Sequence, residues 1–131
     1  MIVIAVDFDG TIVKNKWPGI GKLRAFAKPI LKWLYKRVIL ILYTCREGEM
    51  LGEAINALNK HQIKFDDYNQ NYWKRIHEYG NDCRKVSADL YLDDRAFFPG
   101  WWAVPFVVLW MEWREKSAKR RSEVRQRERA V

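Results

Sequence analysis

The sequence predicts one α/β domain with a small parallel sheet, on the strength of three observations. The chain has 131 residues, which is the size of a single domain. Short β-branched and aliphatic runs alternate with segments of helical periodicity. Three of these runs end at or just before a polar residue, namely Asp7, Thr44 or Asp93. Because strands that alternate with helices are joined by right-handed crossovers, we expect the strands to be parallel.

The predicted strands cover residues 2–6, 38–43 and 89–92, and residues 63–68 are a candidate fourth strand. Helices are predicted around residues 30–35 and over residues 49–60, where apolar side chains recur on one face. A sheet flanked by helices gives a Rossmann-like three-layer fold. In this fold the functional crevice lies beyond the carboxyl ends of the strands, so the polar residues that follow them should gather at one edge.

The C-terminal part of the chain predicts a helix that carries a basic tail. Phe106, Leu109, Trp110 and Trp113 recur at helical spacing, and we expect this apolar stripe to pack on the domain. Residues 112–131 carry eight basic and four acidic side chains and few apolar ones. The chain is therefore divided into a core of residues 1–111 and a basic helical or frayed tail of residues 112–131.

Charge and composition restrict the partners and the location of the protein. The net charge of +8 favours a polyanionic partner or substrate, nucleic acid included. The two cysteines are too few for a disulfide framework. The start of the chain lacks the basic residues that open a signal peptide, and the stretch poorest in charge, residues 96–111, contains two prolines and a glycine. We expect a cytoplasmic protein without a membrane partner.

The strongest chemical signal is the segment DFDGTIV, residues 7–13, directly after the first strand. One carboxylate, Asp7, can attack phosphorus as a nucleophile, and the second, Asp9, can protonate the leaving oxygen. Backbone N–H groups of this turn, at Phe8 and Gly10, can hold phosphate oxygens. A divalent cation near both carboxylates would neutralise charge.

Further polar residues follow the other strands. The Thr44 hydroxyl can donate to a phosphate oxygen, and Arg46 can bind a second one. Lys85 precedes the last strand and is a candidate for neutralising phosphate charge. Asp93 and Asp94 are adjacent carboxylates, which repel each other unless a cation lies between them.

In this order, DFDGTIV, Thr44, Lys85 and Asp93-Asp94 resemble the four motifs of the haloacid dehalogenase superfamily, the aspartate-nucleophile phosphatases. The motifs span residues 7–94. The segment VSADLYLDDR, residues 86–95, is similar to the capless and small-cap branch that includes the 5'(3')-deoxyribonucleotidases.

This resemblance implies a Mg²⁺-dependent phosphatase that forms an aspartyl-phosphate on Asp7, with Asp9 as general acid and base. It implies that Thr44 and Lys85 bind the phosphoryl group. It further implies that Mg²⁺ binds the Asp7 carboxylate, the Asp9 backbone carbonyl, Asp93 and Asp94.

The lysine assignment has an alternative in the sequence itself. Lys85 lies eight residues before Asp93, so a fully extended segment would place it at the wrong end of the sheet. It reaches the site only if the chain turns back near Ala88. Lys74, on a predicted helix upstream, is the fallback.

Several other functional interpretations remain at this point. A two-component receiver domain uses similar residues, but in a different order along the chain. The short connections leave no room for a cap domain, so the site should be open, unless another subunit of an oligomer covers it. The expected substrate is a phosphorylated small molecule, such as a nucleotide, or an accessible polyanion, such as a nucleic-acid end. The alternatives are a non-catalytic binding module on the same fold, or a membrane- or protein-associated accessory factor that acts through its aromatic and basic C-terminus.

Overall fold

The computed structural model describes residues 1–96 and 98–131. Within these residues, strands and helices alternate along the chain, and a short 3₁₀ turn at Trp101–Ala103 precedes the last helix. The strands are β1 (Val3–Val6), β2 (Ile39–Leu42), β3 (Asp67–Tyr68) and β4 (Leu90–Leu92). The helices are α1 (Ala27–Tyr35), α2 (Gly48–Lys60), α3 (Trp73–Tyr79) and α4 (Val104–Ala130).

The strands form one parallel sheet in the order β3-β2-β1-β4. The predicted α/β class is confirmed, and the arrangement is a Rossmann-like three-layer fold. The central strand β1 pairs with both neighbours, and Val6 lies opposite Leu42 of β2 and Leu92 of β4. The carboxyl ends of these three strands therefore meet at one level of the sheet.

All four strands are shorter than the sequence predicts, and β3 and β4 share one local feature. The carboxylate of Asp66 accepts the Leu40 N–H at 2.8 Å, and the carboxylate of Asp89 accepts the Val3 N–H at 2.8 Å. Each aspartate directly precedes its strand, so β4 begins at Leu90, one residue after the predicted start, and β3 begins at Asp67, four residues after it. Ile63 belongs to the predicted fourth strand but is buried as part of a loop.

The two faces of the sheet are covered unequally. Ile4, Val6 and Leu40 face the larger core, which is filled by the buried residues of α1, α2 and α4. Val3, Ala5 and Ile41 face the smaller core, which Val86 and Tyr72 cover. The thinly covered face therefore depends on the irregular chain between α3 and β4.

The prediction for the aromatic stripe of α4 was wrong. Phe106, Leu109, Trp110 and Trp113 are between 48% and 71% exposed. Helix α4 carries a second apolar stripe on the opposite side, formed by Val104, Val108 and Met111, and this smaller aliphatic stripe packs into the core. One helix can turn only one face to the domain, so the aromatic stripe faces outward.

Helix α4 continues without interruption through residues 111 and 112, where the core and tail were separated in the sequence. Residues 119–131 are all exposed. Among the described residues, the chain contains no helix that combines the length and the apolar character required to cross a bilayer.

Truncation after Lys116 should leave the free energy of unfolding within about 0.5 kcal/mol of the full-length value, because the removed residues bury little apolar surface. Val108→Ala is the matched comparison, and it should lower this free energy by about 2 kcal/mol because Val108 is completely buried. Urea unfolding followed by circular dichroism measures both. An equal loss in the two proteins would show that the tail stabilises the domain.

Candidate functional site

The carboxyl edge of the sheet positions the first set of functional side chains. Asp7 follows β1 directly, and its N–H donates to the Leu92 carbonyl of β4 at 2.9 Å. On the other side of β1, the Tyr43 N–H donates to the Val6 carbonyl at 2.8 Å. These bonds extend the pairing one residue beyond the strands, so the backbone of Asp7 is held by the sheet itself.

The turn after Asp7 is compact and needs a glycine. The Phe8 carbonyl accepts the N–H groups of Thr11, Ile12 and Val13 at 3.0 to 3.3 Å. Gly10 has a φ of +84°, and a Cβ on this residue would collide with the Asp94 carboxylate. The absence of a side chain at Gly10 therefore lets Asp94 approach the turn that carries Asp7.

Three carboxylates form a cluster at this edge. Asp7, Asp93 and Asp94 each place one oxygen within 4.8 Å of the others. The Thr11 hydroxyl lies between two of them, 3.0 Å from the Asp7 carboxylate and 3.3 Å from that of Asp94, and it accepts the Asp94 N–H at 2.8 Å. The cluster is thus fixed from both β1 and β4.

The pKa of Asp7 is raised from 3.8 to about 7. The largest cause is the burial of the carboxyl group, and the negative charge of Asp93 adds to it. Hydrogen bonds from the Thr11 hydroxyl and from the Phe8 N–H act in the opposite direction but are smaller. Without a compensating positive charge, this group is therefore protonated in part at neutral pH.

The cluster fits a hard divalent cation such as Mg²⁺. All three side chains offer carboxylate oxygens, the ligands that Mg²⁺ prefers, and the repulsion from Asp93 adds to burial in raising the pKa of Asp7. A cation among them would remove this repulsion. The carbonyl of Asp9, which the family resemblance adds to the ligand set, remains a prediction.

Arg46 is placed differently from the sequence expectation. Its guanidinium is completely buried and donates to both carboxylate oxygens of Asp9 at 2.8 Å, and also to the carbonyls of Pro18 and Gly19 at 3.1 and 2.8 Å. The expectation that Arg46 binds a phosphate oxygen is therefore corrected, because these donors already bind the protein and no surface of the side chain is accessible.

The Asp9 carboxylate is consequently occupied in this arrangement. The guanidinium of Arg46 also lies over the rings of Phe8 and Trp17, with centroid distances of 5.4 and 5.0 Å. To donate or accept a proton at a substrate, Asp9 must release at least one of its two hydrogen bonds to Arg46.

The backbone donors predicted in the turn are also in use. The Gly10 N–H donates to the Val13 carbonyl at 2.8 Å, so the expectation that it binds phosphate is corrected. The Phe8 side chain is buried, and its N–H lowers the pKa of Asp7. The Phe8 N–H therefore donates to the Asp7 carboxylate and is not directed at the open space above the turn.

Thr44 lines a hollow of about 360 Å³ together with Asp7, Asp9, Asp93 and Asp94. The Thr44 hydroxyl oxygen accepts a hydrogen bond from the backbone N–H of Arg46 at 3.1 Å, and the backbone N–H of Thr44 donates to the Asn69 side chain at 2.8 Å. A hydroxyl that accepts a hydrogen bond keeps its proton, which is free to be donated to a ligand.

Lys85 lines an adjoining hollow of about 380 Å³ that also includes Asp7 and Asp93. The chain between α3 and β4 has no regular secondary structure, so Lys85 is not part of an extended strand. Lys74 lines neither of these hollows. Both ammonium groups lie near a ring, that of Lys74 at 5.4 Å from the Trp73 centroid and that of Lys85 at 5.6 Å from the Tyr91 centroid, so this contact does not distinguish them.

Asn71 holds the segment that carries Lys85. This buried side chain donates to the Asp82 carboxylate at 2.8 Å and to the Cys83 carbonyl at 2.9 Å, and it accepts the Ser87 N–H at 2.6 Å. Three contacts from one amide therefore replace regular secondary structure on both sides of Lys85.

Two residues of the site were missed in the sequence. Thr11 belongs to the DFDGTIV motif, so its position was a usable signal, but its contacts with Asp7 and Asp94 were not foreseen. Trp101 is buried, and its indole N–H donates to the Thr11 carbonyl at 2.8 Å across ninety residues of sequence. No local sequence pattern predicts this contact.

Known proteins provide one informative comparison. No protein-family model matches the chain, and no curated protein matches it either. A solved structure of a conserved protein from Bacteroides thetaiotaomicron is similar, with 40% sequence identity and a TM-score of 0.70. The match covers 79% of this chain and 85% of that one. At this identity and coverage, the chain belongs to the same family as the conserved protein of Bacteroides thetaiotaomicron.

Proposed function

We propose that the protein is a Mg²⁺-dependent phosphatase that hydrolyses a phosphate monoester through an aspartyl-phosphate on Asp7. The observation that carries the proposal is the convergence of Asp7, Asp93 and Asp94, with Lys85 in the adjoining hollow. A nucleophile, three hard oxygen ligands and one cationic side chain are the groups that phosphoryl transfer requires.

The residues divide the reaction into two displacements. Asp9 first releases a hydrogen bond to Arg46 and takes a proton from solvent. An oxygen of Asp7 then attacks phosphorus, the bond from phosphorus to the leaving oxygen breaks, and Asp9 gives that oxygen its proton. Asp9 then takes a proton from a water molecule, which attacks phosphorus and breaks the bond to Asp7. Inorganic phosphate leaves, and both aspartates return to their starting state.

Charge at the site is balanced by two groups. Mg²⁺ held by Asp7, Asp93 and Asp94 would favour the ionised form of Asp7 and polarise a phosphoryl oxygen. Lys85 would neutralise further charge on the phosphoryl group, and the Thr44 hydroxyl would donate to one of its oxygens. Charge stabilisation of this kind supplies most of the acceleration in phosphoryl transfer.

The access to this site favours a substrate with a planar group. Trp17 is 53% exposed and lines the same hollow as Asp7, while Arg46 lies against its ring. Exposed aromatic rings bind nucleobases by stacking. A nucleotide, or the end of a nucleic acid, is therefore our preferred substrate class, ahead of a sugar phosphate.

Asp7→Asn should reduce the hydrolysis of an aryl phosphate to background in the presence of Mg²⁺, because the amide is a poor nucleophile and a weaker ligand. Chelation of Mg²⁺ should have the same effect on the wild type. Asp67→Asn, which changes a carboxylate that lines neither hollow, is the matched control and should retain full activity. Undiminished turnover in Asp7→Asn or in excess chelator would refute the mechanism.

Lys85→Ala should lower kcat/KM by about 10²-fold or more, whereas Lys74→Ala should change it less than about twofold. The reason is that only Lys85 lines a hollow that contains Asp7. Steady-state kinetics with a nucleoside monophosphate measures both variants. The opposite ranking would assign the neutralising role to Lys74 on α3.

The pKa of Asp7 predicts a pH-dependent stability in the absence of divalent cations. Because the folded pKa of about 7 lies above the ordinary 3.8, the stability that its protonated form contributes is lost as pH rises from about 4 to 7. Asp7→Asn stays neutral over this range. Its free energy of unfolding, relative to that of the wild type, should therefore rise by about 1–2 kcal/mol between pH 5 and 8, after allowance for solvent screening.

Urea unfolding in a chelating buffer at the two pH values measures this advantage, and Asp67→Asn serves as the control. Addition of Mg²⁺ at pH 8 should reduce it, because the cation stabilises only the carboxylate form. An advantage that is constant over this pH range would mean that Asp7 titrates at its ordinary pKa.

A further inference from the structure

The outward face of α4 combines aromatic side chains with a basic continuation. Phe106, Leu109, Trp110 and Trp113 are exposed on the first turns, and Trp102 on the preceding 3₁₀ turn is exposed as well. With 3.6 residues per turn, these helix residues occupy the side opposite the core-facing stripe of Val104, Val108 and Met111. The aromatic face is therefore not obstructed by the domain.

The same side of α4 is strongly basic further along the helix. The helical period places four basic side chains and one acidic side chain, Glu128, within about 80° of the centre of the aromatic face. The basic ones are Lys116, Arg120, Arg121 and Arg127. Among residues 1–96 and 98–131, none of these four cations forms an ion pair.

Two acidic side chains of α4 form ion pairs with cations of the domain. Glu112 forms an ion pair with Arg37 of the domain, and Glu115 forms one with the N-terminal amine, both at 2.8 Å. These two contacts hold negative charge on the domain side of α4. The outward side therefore presents aromatic rings and cations with little opposing charge.

We propose that this face binds the surface of an anionic lipid bilayer, with α4 lying parallel to the membrane plane. Tryptophan and phenylalanine side chains insert at the level of the headgroups, where their rings leave water while the indole N–H stays hydrated. Arginine and lysine at the edges of the face contact lipid phosphates. The proposal is independent of the chemistry at Asp7.

Charge distinguishes this occupant from a second copy of the chain. Each copy carries a net charge of +8, and the cations of α4 lie on the very side that two copies would have to bring together. An anionic bilayer is complementary to both parts of the face, because its lipid phosphates match the cations and its apolar layer matches the aromatic stripe. A nucleic-acid duplex would complement the cations alone, and a single strand that stacked bases on the indole rings would leave the aliphatic Leu109 of the same stripe without an apolar partner.

Sedimentation with vesicles tests the proposal in the full-length protein. Binding to phosphatidylcholine vesicles that contain 30% phosphatidylglycerol, on the order of a typical anionic surface, should exceed binding to pure phosphatidylcholine by about tenfold or more. It should weaken as salt is added. Equal binding to the two kinds of vesicle, or none to either, would overturn it.

Trp113→Ala and Trp73→Ala form a matched pair of variants, since the two indoles are 64% and 62% exposed but Trp73 lies on α3. Trp113→Ala should weaken binding to anionic vesicles by about tenfold, and Trp73→Ala by less than about twofold. Intrinsic fluorescence gives a second readout, because insertion of indoles shifts the emission to the blue. Equal losses in the two variants would contradict the assignment of the face.

Two further measurements separate the other occupants. If analytical ultracentrifugation without vesicles reveals a dimer that Trp113→Ala dissociates, the face binds a second copy of the chain and not a bilayer. Binding to a single-stranded oligonucleotide that is tighter than binding to anionic vesicles would show that the face binds nucleic acid instead of a bilayer. Monomeric protein and weaker oligonucleotide binding support the bilayer.

Discussion

The buried ion pair between Arg46 and Asp9 holds the carboxyl edge of the sheet together. One guanidinium joins the turn after β1, the carbonyls of Pro18 and Gly19, and the loop between β2 and α2. Its removal would leave a carboxylate and two carbonyls without these partners in a largely buried place, which is costly. The same contact restrains Asp9, so the interaction that builds the site also limits the freedom of the Asp9 carboxylate.

The parts of the site that the sequence could predict are those fixed by short-range rules. Strand ends determine where Asp7, Thr44 and Asp93 lie, because parallel strands bring their carboxyl ends to one edge. The partners of Arg46 and Asn71 could not be predicted in this way. They depend on side-chain contacts between distant segments, and a buried arginine has the same sequence signature as one that binds a ligand.

Helix α4 illustrates a different limit of sequence patterns. Helical periodicity correctly indicates the helix, but two apolar stripes satisfy the same period, and the larger one was expected inside. The structure buries Val104 and Val108 and leaves Trp110 and Trp113 outside. Periodicity measures only that a face is apolar. Which face the domain accepts depends on the shape of the space that the sheet and α1 leave open.

The thin cover of one sheet face has a consequence for how the protein responds to heat. Lys85 is carried by an irregular segment that Asn71, Tyr43 and Tyr91 fasten through a few hydrogen bonds, whereas β1 lies in the middle of the sheet. Such segments open locally at a smaller free-energy cost than global unfolding. Moderate heating would therefore release this lysine from the hollow beside Asp7 while the sheet stays intact, at temperatures where circular dichroism still reports a folded domain.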